Sequence, residues 1–331
     1  MSTDRPETSP DRPETSTDRP ETSRRQASPE DPELPEPLPP VVRTPAGPPA
    51  PAYSSPAAAR VPLDCSAFEP AADRLAVRRE GGLVVVELSD PVRRNMMGLE
   101  MTAAWGRLMP AIAKDDQIRA VLVTGRGTAF SSGGNTAWIG ADSHEPVSVL
   151  RERMLAFYRT WLAIRELDVP TIAAINGPAI GAGAALALAC DMRWAGSSAS
   201  MALPFLRLGM HPGLLATYLV REVGGVAVAR DLLMTGRRIQ ASEMLAMGLV
   251  SRVVPDLELS SEALQVAQDL ASAAPVATRL TKVALRDGLA DGWASAMQWE
   301  GLAQGVTLAT EDLAEGMAAR REKRPPRFTG R

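Results

Sequence analysis

The 331 residues carry 36 Lys and Arg against 39 Asp and Glu, with 28 prolines, 2 cysteines and 2 histidines. A charge balance this close to neutral excludes a polyanion-binding fold, so no nucleic-acid partner is expected, and Cys65, Cys190, His144 and His211 are too few for a disulfide framework or a metal knuckle. The longest apolar stretch, from Val169 to Cys190, is broken by Pro170, Asn176, Gly177 and Pro178, and the start of the chain is charged and proline-rich. Neither a membrane span nor a signal peptide is expected, which points to the cytoplasm.

Residues 1–62 hold 16 of the 28 prolines and three near-copies of TDRPETS, ending at Ser9, Ser16 and Ser23. Each copy is interrupted by proline and carries both charge signs, so no heptad seam can form. Too little apolar surface is present to offset the entropy of ordering, and a disordered tail is expected, serving as a docking arm or as a solvated linker.

From Leu83 onward, strand and helix signals alternate. LVVVEL (83–88) and AVLVT (120–124) are short β-branched runs bounded by turn residues, and read as strands. Val147, Leu150, Met154, Phe157, Trp161 and Ile164 recur at steps of three and four, which places them on one face of a helix closed by Asp168 and Pro170. TIAAI (171–175) reads as a buried strand. Helices follow over 214–223 and 226–234, ended by Gly224/Gly225 and Gly236, and LVSRVV (249–254) closes the region. The chain from Ser261 keeps helical spacing. The pattern implies an α/β core over 63–255 and a helical C-terminal region over 256–331.

Two stretches share one physical design. AVLVT runs into GRGTAFSSGGN (125–135), and TIAAI runs into NGPAIGAGAALALAC (176–190); each is a strand, a glycine-rich turn and then a helix. Backbone N–H groups in such turns lack intrachain partners, and small residues let a ligand approach them. Two N–H groups converging on one oxygen would form an oxyanion hole. Alternatively, the glycines permit only tight turns and close helix packing. Neither stretch fits a phosphate-cradling fingerprint.

TAFSSGGN, PTIAAINGPAIGAGAALALACD, LPFLRLGMHPG and EDLAEGMAARREKRPPRF together resemble the crotonase superfamily, the enoyl-CoA hydratase/isomerase group, over about Leu83 to Arg331. The resemblance implies a spiral of ββα units, a C-terminal region used in trimerisation (a homotrimer or dimer of trimers), and an acyl-CoA or acyl-carrier thioester as substrate. No cofactor is implied beyond the coenzyme A of the substrate. Ser132 and Ala182 would supply the oxyanion-hole N–H groups, with Ala129, Ser131, Gly133, Gly134, Asn135 and Gly181 around them. Asn135 stands where many members have Asp, and either residue can cap the next helix. PVRRNMMGL (91–99) resembles the turn that wraps the pantetheine and adenine, which makes Val92, Arg93 and Arg94 candidate contacts. Lys282 resembles a lysine that reaches the nucleotide phosphate. The basic residues from Arg320 to Arg331 either attract CoA phosphates or flank the subunit contact.

The departures carry as much information. The two glutamate positions of the hydratases are occupied here by Ala185 and, after Pro204, by Phe205. Neither side chain can activate water or deliver a proton, so isomerisation, decarboxylation or other enolate chemistry is expected in place of hydration. His211 is the candidate acid or base, or else it only caps its turn; relatives place catalytic groups two residues on, at Gly213. Tyr218 either faces the pocket or packs on its helix. Asp142, His144 and Glu145 lie in a polar loop where relatives have a substrate-covering segment, and Cys190 reads as core rather than nucleophile. A non-catalytic acyl-CoA-binding scaffold and a thioester hydrolase remain open alternatives.

Overall fold

The computed structural model describes residues 74–141, 144–286 and 292–331. The repeat tail, Cys65 and Asp142 lie outside the described residues.

Strands β1 (Leu75–Glu80) and β2 (Leu83–Leu88) pair antiparallel around Gly81, whose φ of +60° suits the tight turn. Then follow α1 (Leu99–Lys114), β3 (Ala120–Gly125), the short α2 (Thr136–Gly140), α3 (Val147–Leu162) and β4 (Thr171–Ile175). Next are β5 (Pro178–Ile180), α4 (Ala182–Ala189), β6 (Met192–Gly196) and β7 (Ser200–Ala202). The series continues with α5 (Ala216–Thr235), β8 (Arg238–Gln240), α6 (Ala241–Ala246) and β9 (Arg252–Val254). Four helices end it: α7 (Asp256–Ser272), α8 (Pro275–Arg286), α9 (Trp293–Leu308) and α10 (Glu311–Glu322).

Six strands form one sheet in the order β1-β2-β3-β4-β6-β9, parallel from β2 onward, and β5-β7-β8 form a second. The large sheet is covered on both faces, which explains why its strands read as nearly continuous apolar runs. Leu83, Val85, Leu122 and Ile172 face Leu259, Ala263 and Ala267 of α7. Val84, Val86, Val121, Val123 and Ile175 face the main core, where Trp105 of α1 and Trp161 of α3 stack at 4.8 Å. Helix α4 is buried on every side, as its uniformly small, apolar sequence requires.

The sequence expectations hold for the central strands and need adjustment at the edges. The helix expected over 147–164 ends at Leu162 and continues as a 3-10 turn through Glu166. Its first apolar residue, Val147, is 81% exposed, so the stripe begins one turn before the core does. The two helices expected on either side of Gly224/Gly225 are consecutive segments of α5, with Gly225 at φ +79° as the break. Helix α7 starts at Asp256, five residues before the point at which spacing made it legible.

After α10 the chain folds back along it. Glu315 accepts from both Arg324 guanidinium nitrogens (2.6 and 2.9 Å) and from the Arg327 N–H (2.7 Å), which hold its carboxyl at about 2, below the usual carboxylate range. A depressed pKa contributes stability that is complete above the unfolded value and lost as pH falls. The melting-temperature difference between wild type and Glu315→Gln is therefore expected to be full above pH 4.5 and to vanish towards pH 2. A difference independent of pH would refute this role.

Candidate active site

Strands β3 and β4 are parallel neighbours, with Val121 paired to Thr171 and Thr124 to Ala174. Their C-terminal ends therefore lie side by side, and the two glycine-rich turns leave the sheet together. Contact between the turns is direct. Ser131 N–H donates to Pro178 O (3.2 Å), and Ile180 N–H donates to Ser131 O (2.9 Å). Gly133 lies at φ +89°, and a Cβ there would stand 2.5 Å from Ile180 O and 3.1 Å from the Ala182 nitrogen. A Cβ at Gly183 would stand 2.6 Å from Ser131 O. Only glycine permits this spacing at either position, so these residues do more than shape their own turns.

Two asparagines fasten the first turn. Asn95 is fully buried and left-handed (φ +54°), a conformation that Asn tolerates better than most residues. Its amide donates to the carbonyls of Arg126 (3.0 Å), Ala129 (2.8 Å) and Phe130 (3.2 Å), while its Oδ1 accepts from Asp90 N–H (2.9 Å). Asn176 Oδ1 accepts from Gly125 N–H (3.1 Å), and its amide donates to Gly127 O (2.9 Å). Sequence reasoning did not single out either residue; for Asn176 the available signal was its place between β4 and the glycine-rich turn.

The candidate residues divide into a contact surface and a supporting frame. Ala182 opens α4, so its N–H has no intrahelical acceptor and lies at the positive end of the helix. Ser132 is a correction: its N–H donates to Arg94 O at 2.8 Å, because the left-handed Arg94 (φ +51°) turns its carbonyl towards the turn. Ser132 Oγ donates to Arg93 O (3.1 Å). A ligand oxygen would have to share or displace the Arg94 carbonyl. Asn135 caps α2 through the N–H groups of Ala137 (3.0 Å) and Trp138 (3.3 Å). Gly134 lies under Ile139, where a Cβ would stand 3.1 Å from its Cδ1.

Val92 and Arg94 are exposed, and Arg93 pairs with Asp90 at 2.8 Å. Ala129, Ser131 and Ala185, expected to touch substrate, are buried. The Ala129 carbonyl serves Asn95, the Ser131 hydroxyl donates to Asn95 O (2.8 Å), and Ala185 has no accessible surface. All three are frame. Phe205, which follows Pro204, places its Cζ 3.9 Å from where a Cβ of Gly181 would be, so an aromatic edge lies beside the second turn.

Lys282 is a clear correction. It is 6% exposed, and its ammonium donates to Val169 O and Asp191 Oδ2, both at 2.7 Å. Asp191 also accepts from Thr171 N–H (2.7 Å) and Thr171 Oγ1 (2.9 Å), so the lysine ties α8 to the β4 and β6 junctions. Burial lowers its pKa, and the Asp191 carboxylate opposes that. Sequence spacing cannot separate a buried paired lysine from a phosphate-reaching one. Lys282→Met is expected to cost about 1–3 kcal/mol, the partial exposure of Asp191 keeping it below a fully buried pair. Acyl-CoA affinity should be unchanged; weaker binding without a lower melting temperature would restore the phosphate role.

His211 is exposed, and its Nδ1–H donates to Pro212 O at 2.8 Å. Tyr218 belongs to a surface network: its hydroxyl donates to Glu222 (3.0 Å), and Arg165, itself paired with Glu222, lies over the ring at 5.4 Å. His144 and Glu145 are exposed. Burial pushes the Cys190 thiol up to about 12, which makes it inert core. One residue absent from the sequence reading is brought in by the fold. A Cβ at Gly213 would stand 2.5 Å from the hydroxyl of Tyr158 on α3. Among the described residues no cluster of three or more His, Cys, Asp or Glu could hold a metal.

The enoyl-CoA hydratase/isomerase family model matches residues 78–331. The chain belongs to the enoyl-CoA hydratase/isomerase family. Human enoyl-CoA hydratase domain-containing protein 2, a mitochondrial protein, is 35% identical over 255 residues, covering 76% of this chain and 86% of its own. A crystal structure of enoyl-CoA hydratase from Bacillus anthracis matches with a TM-score of 0.73 at 32% identity, covering 78% of this chain and all of that one. One from Geobacillus kaustophilus matches at 0.71 and 34%, covering 78% and 98%. The fold is thus the crotonase fold, with the helical C-terminal region present. No helix among the described residues of this enoyl-CoA hydratase/isomerase family member is long and apolar enough to cross a membrane.

Proposed function

We propose that the protein acts on an acyl-CoA or acyl-carrier thioester through an oxyanion-stabilised enolate, and that its reaction is isomerisation, decarboxylation or related enolate chemistry rather than hydration. The observation that carries this reading is the approach of Gly133 to the Ala182 amide, which leaves an unspent N–H at the seam between the two turns. The Ala182 N–H meets the thioester oxygen directly. The Ser132 N–H joins it by sharing its bond to Arg94 O, so the first turn is the adaptable half of the site. Both donors strengthen as negative charge develops on the oxygen, which is where binding energy lowers a barrier. Beyond the thioester the surroundings are apolar: Ala185 and Phe205 bring no carboxylate to orient a water. Arg94, exposed on the 91–94 turn, suits a phosphate of the nucleotide.

Proline at the first position of a helix is well tolerated but has no N–H, so Ala182→Pro tests the donor alone. Turnover is expected to fall about 100- to 1000-fold, with acyl-CoA binding weakened far less. Unchanged turnover would overturn the oxyanion assignment.

The same reading includes self-association. Helix α9 buries none of its residues, yet presents Trp293, Met297, Leu302, Val306 and Leu308 to solvent, continued on α10 by Leu313 and Met317. An apolar surface of this kind marks an interface, and a second copy of the chain supplies its match. Leu302→Asp is expected to reduce the mass measured by sedimentation to that of one chain; an unaltered oligomer would exclude α9 from the contact.

A further inference from the structure

The residues around the two turns form a closed circuit. Asn135, at the end of the first turn, caps α2 through Trp138; Trp138 packs on Phe157 of α3 at 5.5 Å, and Phe157 meets the Tyr158 ring edge-on at 6.4 Å. The Tyr158 hydroxyl fills the space that a side chain at Gly213 would take. Gly213 lies on the segment leaving the 3-10 turn that begins at Phe205, to whose carbonyl Met210 N–H donates at 3.1 Å. Phe205 touches the second turn at Gly181, and Ala182 meets Gly133 of the first. Tyr158 thus closes the circuit, its phenol lying against the Gly213–Leu214 backbone of the loop that Phe205 joins to the second turn.

From this placement we infer that Tyr158 is a catalytic acid, its hydroxyl delivering the proton to the α-carbon of the thioester enolate. The inference rests on the enolate reading above. Its geometry leaves the proton available: the Leu214 amide faces the oxygen, and the hydroxyl donates to no side chain or backbone group among the described residues. Half-burial also pushes the phenol above its ordinary range through desolvation, the Leu214 amide opposing it, so the group is protonated at neutral pH. His211 lies two residues before Gly213 in the same loop, and Arg153 of α3 lies over Trp138 at 5.0 Å.

In the step, the O–H bond of Tyr158 breaks and its proton joins the enolate electron pair as a new C–H bond. The thioester carbonyl is restored, and the tyrosinate regains a proton from water. Run backwards, the tyrosinate removes an α-proton, so the same group must exchange α-protons with solvent.

That reverse step supplies the test. Full-length protein is incubated with butyryl-CoA in D2O at pH 9, deuterium at C2 is followed by mass spectrometry, and binding is measured separately by calorimetry. Wild type is expected to exchange C2 protons. Tyr158→Phe, which removes one oxygen and keeps the packing, is expected to exchange about 100-fold more slowly, with the butyryl-CoA affinity and melting temperature retained. If the variant exchanges as fast as wild type, Tyr158 is not the acid while the enolate reading stands. If it loses affinity in proportion to rate, Tyr158 is only a packing residue and the assignment falls. If wild type itself binds but exchanges nothing, the enolate reading fails and carries this inference down with it.

Discussion

The constraint on which the site depends is the parallel pairing of β3 with β4. Parallel neighbours deliver their C-terminal ends to the same edge of the sheet, so the two segments that follow must compete for one volume. They coexist because the points of closest approach carry no side chain. Gly133 stands against Ile180 O and Ala182 N, and Gly183 stands against Ser131 O, at separations that a Cβ would violate. The glycines are costly in chain entropy, and the offset comes from Asn95 and Asn176, which convert loose turn carbonyls into satisfied acceptors. The sheet sets the position, the glycines set the distance, and the asparagines set the rigidity.

Much of this was legible in the sequence because it follows from short-range pattern. Two strand-turn-helix stretches of the same design identify themselves through β-branched runs followed by glycine, and Gly225 declares the break in α5 by its own conformation. What was not legible depends on residues distant in the chain. Lys282 reads as a surface cation until Asp191 and Val169, about a hundred residues earlier, take its ammonium. Ser132 reads as a free donor until the left-handed Arg94 turns a carbonyl onto it. Tyr158 lies outside the apolar stripe that the sequence shows, and only the missing side chain at Gly213 gives its hydroxyl room. Sequence patterns report the elements well; they report hydrogen-bond exchange between elements poorly, since one carbonyl in an unusual conformation changes which N–H is available.

The division between frame and contact also explains why several candidate substrate contacts proved to be structural. Ala129, Ser131 and Ala185 sit directly behind the seam and hold its geometry without presenting surface. In a site built from main-chain donors, neighbouring side chains mostly face inward, because the backbone itself must face the ligand.

The packing of Phe205 against Gly181, one helical turn before Ala185, carries an evolutionary consequence. A carboxylate introduced at Ala185 would enter a position with no accessible surface, where an unpaired charge is costly. A carboxylate introduced at 205 would remove the buried aromatic edge that lies beside Gly181. Each change is unfavourable on packing grounds alone. Sequence change at these two positions is therefore held by packing, small at 185 and aromatic at 205, whatever reaction the site performs.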